Sequence, residues 1–175
     1  SPSHRLTRLA VAAALCLLPR LIAAQPAPPP NVLVILADDM GIGDVSALNA
    51  RSLWQTPNID RLAREGMVFT DAHSSSSVCT PTRYTLLTGR YSWRSTLKRG
   101  TLQGYSPSLL ERGRLTLPGF LRTQGYVTAM FGKWHLGLDW TKLGPRQEDI
   151  DYAGPVGGGP VAHGFERFFG ISASL

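Results

Sequence analysis

Ser77-Val78-Cys79-Thr80-Pro81-Thr82-Arg83-Tyr84-Thr85-Leu86-Leu87-Thr88-Gly89 is the stretch around which the rest of the chain is organised. Polar Ser74 to Ser77 lead into it. Pro81 has the fixed φ and missing N–H that suit the first turn of a helix, and Gly89 suits the residue just past its end. The stretch therefore predicts a helix with Cys79 at its N-terminus. Unpaired N–H groups and the positive end of the helix dipole favour a thiolate or a bound anion at that spot. Arg83, one turn further on, adds a permanent cation. For Cys-x-Pro-x-Arg taken alone, a buried cysteine at a loop-to-helix junction beside a surface arginine is the plainer alternative.

Towards the N-terminus, Asn31 to Ala37 is a continuous β-branched and aliphatic run without polar alternation, the pattern of a central parallel strand buried on both faces. It ends at Asp38-Asp39, where open α/β sheets place their ligands, beyond the carboxyl ends of strands. Adjacent carboxylates repel one another unless a cation neutralises them, so the pair suggests a hard divalent metal, with an exposed acidic turn as the alternative. Thr56-Pro57 opens a helix with Ile59, Leu62 and Ala63 on one face, closed by Gly66, and Met67 to Thr70 reads as a short strand. Both have a packing role, and His73 is a loop or capping histidine.

Towards the C-terminus, a loop of Gly, Ser and Pro runs from Tyr91 to Gly113. Leu117, Phe120 and Leu121 then repeat at helical spacing up to Gly125, and Tyr126 to Phe131 forms the next strand. At its end stand Gly132-Lys133-Trp134-His135-Leu136-Gly137. Two residues apart on an extended segment, Lys133 and His135 project to the same side and into one pocket. Residues 145–160, rich in Gly and Pro with Glu148, Asp149 and Asp151, read as a mobile loop. His163 to Gly170 has apolar members that suggest packing, with His163 structural.

Cys79, Pro81, Arg83, Leu86, Leu87, Thr88 and Gly89 together resemble the signature of the sulfatases, and Gly132 to His135 resembles the second sulfatase signature around Gly-Lys-x-His. The resemblance implies an α/β fold with a mixed, mostly parallel sheet flanked by helices, as in the alkaline-phosphatase-like superfamily. The activity it implies is hydrolysis of sulfate monoesters of the arylsulfatase type. Cys79 would be converted to formylglycine by a formylglycine-generating enzyme during maturation, and its hydrated aldehyde would be the nucleophile. Asp38, Asp39 and residue 79 would ligate calcium, or magnesium in its place. Arg83 and Lys133 would neutralise charge on the transferring group. Lys133 would contact a sulfate oxygen, and His135 the hydrated formylglycine or the bridging oxygen.

His163-Gly164-Phe165-Glu166 is similar to the family's His-Gly-Phe-Asp segment, and Ser174 corresponds by spacing to a substrate-contacting polar residue of some arylsulfatases. The family's further metal ligands, an Asp-Asn pair, and its second His and Lys lie downstream. The resemblance, from about Asn31 to Leu175, is thus to the N-terminal part of an incomplete catalytic domain, residues 31–175. Two alternatives stand beside it: a phosphate or phosphonate ester hydrolase of the same superfamily, and a truncated product that binds sulfated glycans without turnover.

Composition agrees with a globular core, at 43% hydrophobic and 17% charged over 175 residues. The formal charge of +6 hints at a polyanion partner until the leader is set aside. Residues 1–24 hold Arg5, Arg8 and Arg20 and no acid, leaving 15 basic and 12 acidic residues in the remainder, which argues against nucleic acid as a partner. A local excess persists from Arg83 to Arg122, where eight basic residues meet one acid, Glu111; it reads as a solvated basic face or as attraction for an anionic substrate.

The leader itself has the layout of a secretory signal peptide. His4, Arg5 and Arg8 precede an apolar run from Leu9 to Leu18, too short to span a bilayer, and Ala23-Ala24 follow. Residues 25–30, with four prolines, read as a linker. The expectation is export: secretion, the periplasm, or the lysosomal or ER lumen. Cys16 lies in the leader, so Cys79 has no disulfide partner within residues 25–175, and pairing with a cysteine outside this stretch is the alternative. Conversion to an aldehyde, which the resemblance implies, accounts for that solitude and for Pro81 and Arg83 as well.

Overall fold

The computed structural model describes residues 27–174. The signal-peptide reading of residues 1–24, Cys16 and the start of the linker therefore lie outside the described residues. The chain divides into two compact units, Ser1–Leu36 and Ala37–Leu175. In the first, the described residues 27–36 are exposed and belong to no strand. This corrects the expectation of a buried central strand at Asn31 to Ala37: Leu33 and Ile35 are 83% and 77% exposed. A run of aliphatic residues supplies strand propensity, but a buried strand also needs a hydrogen-bonded neighbour on each side. Residues 31–37 find none among the described residues.

The second unit opens with a tight turn at Ile42–Asp44 and continues into helix α1, Pro57–Glu65. Pro57 starts α1 where its missing N–H costs nothing, and the chain leaves the helix at Gly66, as the sequence predicts. Its apolar face is open, however, with Ile59 and Leu62 exposed, so the expected packing role is absent among the described residues. Met67 to Thr70 is likewise exposed and forms no strand.

Helix α2, Cys79–Thr88, begins two residues before Pro81 and ends at Gly89, whose φ of 65° is the left-handed cap conformation that a side chain would strain. After an irregular stretch, α3 spans Leu117–Thr123, with the Thr116 hydroxyl accepting from the Gly119 N–H as an N-cap. Strand β1 is Ala129–Lys133. It pairs in parallel with β4, Arg167–Ile171, in the register Phe131 to Phe169. Between them β2, Asp139–Trp140, pairs antiparallel with β3, Val156–Gly157, and Lys142 bridges to Ile150. Residues 145–160 are thus tied back by a ladder and are not the free loop that their Gly and Pro content suggests.

In place of one mixed, mostly parallel sheet, the described residues hold two separate two-stranded sheets, one parallel and one antiparallel. The core lies between α2 and the run that leaves β1: Tyr84, Leu109, Leu110, Trp134, Leu136 and Leu138 are buried together, with Met130 and Phe168 packed against them from the inner face of β1 and β4. Trp134 is fully buried, and its indole N–H donates to the Gly137 carbonyl at 2.8 Å. Gly137 has φ 79°, and a Cβ there would sit 2.0 Å from the Pro107 oxygen. Only glycine lets residues 136–138 lie against 106–109, where Leu109 N–H donates to Leu136 O at 2.8 Å and Leu138 N–H to Ser106 O at 3.0 Å. No helix among the described residues is long and apolar enough to cross a membrane.

Candidate functional site

Four side chains converge at the head of α2. Cys79, a free thiol, is the first residue of the helix, where the dipole favours negative charge. Its Sγ donates to Asp38 Oδ1 at 3.4 Å, and Lys133 Nζ, from the last residue of β1, donates to Cys79 Sγ at 3.1 Å and to Asp38 Oδ2 at 2.6 Å. Arg83, one helical turn from Cys79, places its guanidinium 3.5 Å from Asp38 Oδ2 and donates through its other terminal nitrogen to the Lys133 carbonyl. The arginine therefore holds both the carboxylate and the backbone of the strand that delivers the lysine. Its Nε–H is buried without a partner among the described residues, a charged donor left for something else to satisfy.

The electrostatics follow from these contacts. The hydrogen bond from Lys133 holds the Asp38 carboxyl below the usual carboxylate range, with lesser help from Cys79 and Arg83. Burial alone would depress Lys133, but its bonds to Asp38 and Cys79 outweigh it and hold the ammonium above its usual value. Lys133 and Arg83 are thus both held on Asp38 at the head of α2, while Asp39 adds a second carboxylate beside Cys79, so the two cations are matched by two carboxylates. Of the eight basic residues from Arg83 to Arg122, only Arg83 enters this cluster among the described residues, whereas Arg90 and Arg114 share Glu111 and Arg122 pairs with Glu166.

His135 takes a different place from Lys133. The strand ends at Lys133 and His135 has φ 57°, so the two side chains are not related by the simple alternation of an extended segment. His135 is 3% exposed; its Nε2 donates to Leu102 O at 2.9 Å and its main-chain N–H to Ser172 O at 2.9 Å. A carbonyl can only accept, so the proton of the neutral ring is on Nε2 and Nδ1 is bare; Nδ1 is buried with no partner among the described residues. Burial lowers the pKa of this histidine, and the charges of Lys133 and Arg83 lower it further against the opposing pull of the Leu102 bond.

Asp38, Asp39 and Cys79 offer ligand atoms that all lie within 4.8 Å of one another. Asp39 adopts φ 60°, a conformation that Asp tolerates better than most residues. Two adjacent carboxylates are suitable donors for a hard divalent cation, which takes six or more oxygens, while a thiol sulfur is too soft to suit it. The donor set fits part of a calcium or magnesium site, and residue 79 joins it only when it carries oxygen. Ser174 is exposed, two residues beyond Ser172, and takes no part in the cluster. His163 is buried as expected, stacked at 6.4 Å on Trp134 and 3.4 Å from the Ser108 hydroxyl. Sequence reasoning passed over Thr80 and Leu102, which tie α2 to His135; no motif marks them, because the contacts lie 55 and 33 residues apart.

With this geometry in place, the comparisons are specific. Residues 30–174 match the family model described as Sulfatase. The chain is 40% identical over 146 residues to an N-acetylgalactosamine-6-O-sulfatase of Bacteroides thetaiotaomicron, covering 83% of this chain and 27% of that one. It is 43% identical over 148 residues to arylsulfatase A of Bos taurus, covering 85% and 26%. A solved structure described with the metabolism of multiple glycosaminoglycans by Bacteroides thetaiotaomicron superposes with a TM-score of 0.68 at 39% identity, over 78% of this chain and 27% of that chain. The chain thus spans about a quarter of the length of these relatives.

Proposed function

Because the chain belongs to the sulfatase family, we propose that the cluster at the head of α2 is the part of a sulfate-monoester hydrolase site that receives the sulfate group. The observation that carries this reading is Lys133 Nζ at 3.1 Å from Cys79 Sγ, with Arg83 on the same carboxylate, so that both cations border the position a nucleophile would occupy. Residue 79, as hydrated formylglycine, would supply a geminal diol: one hydroxyl would attack sulfur as the ester S–O bond breaks and the alcohol leaves with a proton, and the second would lose its proton, re-forming the aldehyde as the C–O bond to sulfate breaks. Lys133 and Arg83 would neutralise the oxygens of the transferring group as negative charge develops on them, a preorganised electrostatic contribution. Asp38 and Asp39 would hold calcium or magnesium, which lends Lewis-acid charge to the same oxygens. His135, with a bare Nδ1, would accept or return a proton near the nucleophile or the bridging oxygen.

Two of the relatives are named for sulfated substrates, an N-acetylgalactosamine 6-sulfate and an aryl sulfate, and a sulfate monoester is the substrate class proposed for this chain. Ser174 would contact the substrate beyond the sulfate. Export is part of the same proposal, since an oxidising compartment suits a maturation step on a lone thiol. The test is intact mass together with turnover in the full-length protein. Conversion of Cys79 to formylglycine lowers the mass by about 18 Da, a covalent change that alters the chemistry of the site. Calcium-dependent hydrolysis of 4-nitrophenyl sulfate in preference to 4-nitrophenyl phosphate is expected with it. An unmodified thiol in active enzyme, or a preference for the phosphate ester, overturns the reading.

A further inference from the structure

Thr80 is the residue that the Cys-x-Pro-x-Arg pattern leaves free, yet it is one of the most deeply buried in the protein, at 0% exposure. A buried hydroxyl must find partners, and this one has two. Its Oγ1 donates to the His135 carbonyl at 2.9 Å and accepts from the Leu102 N–H at 3.2 Å. The Leu102 carbonyl then accepts from His135 Nε2 at 2.9 Å. Thr80, Leu102 and His135 thus close a ring of three hydrogen bonds, in which the histidine is held at its main chain by one neighbour and at its imidazole by the other.

The ring has two effects. It fixes the tautomer, because Leu102 O requires the proton on Nε2 and leaves Nδ1 as the free acceptor. It also sets the distance between the start of α2 and the residue after Trp134, since Thr80 follows Cys79 directly while His135 stands at φ 57°, where backbone strain persists only if its surroundings hold it. The charged groups that act on His135 are Lys133, Arg83 and Asp38, all members of the cluster around Cys79. A shift of the histidine therefore shifts it with respect to the nucleophile's own surroundings.

We propose that Thr80 is a positioning residue for the reaction, its hydroxyl locking His135 in place and, through Leu102, in the Nε2–H tautomer. This inference rests on the sulfatase reading above. The experiment uses the full-length protein with Thr80→Val, which removes the hydroxyl at nearly constant volume, and Thr80→Ser, which keeps it. Thr80→Ala takes the place of valine if that variant fails to fold. Formylglycine content is measured by mass in each variant, and kinetics are normalised to it, so that impaired maturation is not mistaken for impaired chemistry.

Thr80→Val is expected to lower kcat for 4-nitrophenyl sulfate by roughly ten- to a hundredfold, the cost of misplacing a catalytic group by about 1 Å, with KM within about twofold. The acid limb of its kcat/KM profile moves to higher pH, as a loosened His135 loses part of the burial that keeps it neutral. Thr80→Ser restores most of kcat. Nitrogen NMR of 15N-histidine-labelled protein reads the tautomer without any substrate: wild type shows Nε2–H for His135, and Thr80→Val shows a mixture. Equal impairment of the serine and valine variants, or a valine variant with kcat within about twofold of wild type and an unchanged tautomer, overturns the proposal. Absence of turnover in wild type defeats the sulfatase reading instead, and the NMR comparison then decides the role of Thr80 on its own.

Discussion

Helices α1 and α2 are of similar length and are held in place in opposite ways. α1 carries a regular apolar stripe, yet Ile59 and Leu62 are exposed, and the helix is anchored by polar groups at its start. Ser46 and Thr56 hydroxyls each donate to the Asp60 carboxylate at 2.7 Å, and Ala47 N–H joins them at 3.0 Å. α2 has no such stripe, yet Thr80 and Tyr84 are both 0% exposed, and one of them is polar. The difference shows that periodicity reports what a helix could bury, while the hydrogen-bond partners offered by neighbouring segments decide what it does bury.

The two helices differ most in consequence at the first residue of α2. Cys79→Ala in the full-length protein is expected to abolish sulfate-ester turnover, by on the order of 10⁴-fold or more, while thermal unfolding stays within a few degrees of wild type. Cys79→Ser keeps a nucleophilic oxygen but lacks the second hydroxyl, so a trapped sulfo-enzyme, visible as added mass, should replace steady turnover. Retained turnover in the alanine variant would remove the formylglycine mechanism.

Tyr84 separates burial from bonding on the same helix. Its ring belongs to the core, whereas its hydroxyl is buried with no partner among the described residues. Tyr84→Ala should cost about 3–5 kcal/mol, the usual range for emptying an aromatic site. Tyr84→Phe should be neutral or stabilising by about 1 kcal/mol, because the orphaned hydroxyl is removed with its desolvation cost. A loss of more than about 1 kcal/mol in the phenylalanine variant, read by urea unfolding, would reveal a bond from that hydroxyl.

What could be read from the sequence follows the range of the interactions. The limits of α1 and the end of α2 are legible because Pro57, Gly66 and Gly89 act on their own turns, whereas the Thr116 cap of α3 leaves no mark in the apolar spacing and that helix stops at Thr123, short of Gly125. Cys79 at a helix start was legible for the same reason. The placement of β1 was off by two or three residues, since strand limits depend on the partner β4, 38 residues away in the register Ala129 to Arg167. Asn31 to Ala37 reads as strand from its side chains alone, and only pairing could make it one. That Lys133 reaches Cys79 is implied by the family resemblance and not by spacing, because the left-handed His135 breaks the alternation of an extended segment. The Thr80, Leu102 and His135 ring was illegible because hydroxyl-to-carbonyl bonds over tens of residues leave no periodic trace.

A smaller effect lies beneath this site, at His163. Burial lowers its pKa below the usual histidine value of 6.5, with Asp139 and a Gly158 contact opposing the shift. A histidine whose folded pKa is depressed contributes stability above its unfolded value, which is lost as pH falls because the unfolded chain takes up a proton that the folded one refuses. The melting temperature should therefore decline from pH 7 to pH 5, and His163→Gln should flatten that decline. An equal slope in wild type and variant would assign the pH dependence to other groups.

The smallest expected effect returns to α1. Its exposed apolar face predicts that Leu62→Lys, at a residue 61% exposed, changes stability by less than about 0.5 kcal/mol in this chain. Thr56→Val, which keeps the shape of the side chain but removes its bonds to Asp60 and Ser46, should cost about 1 kcal/mol despite being the more conservative change. The order of the two costs is the test. If Leu62→Lys proved the more damaging in urea unfolding, α1 would be held by its apolar face after all, as α2 is held by its buried one, and the contrast between the two helices would disappear.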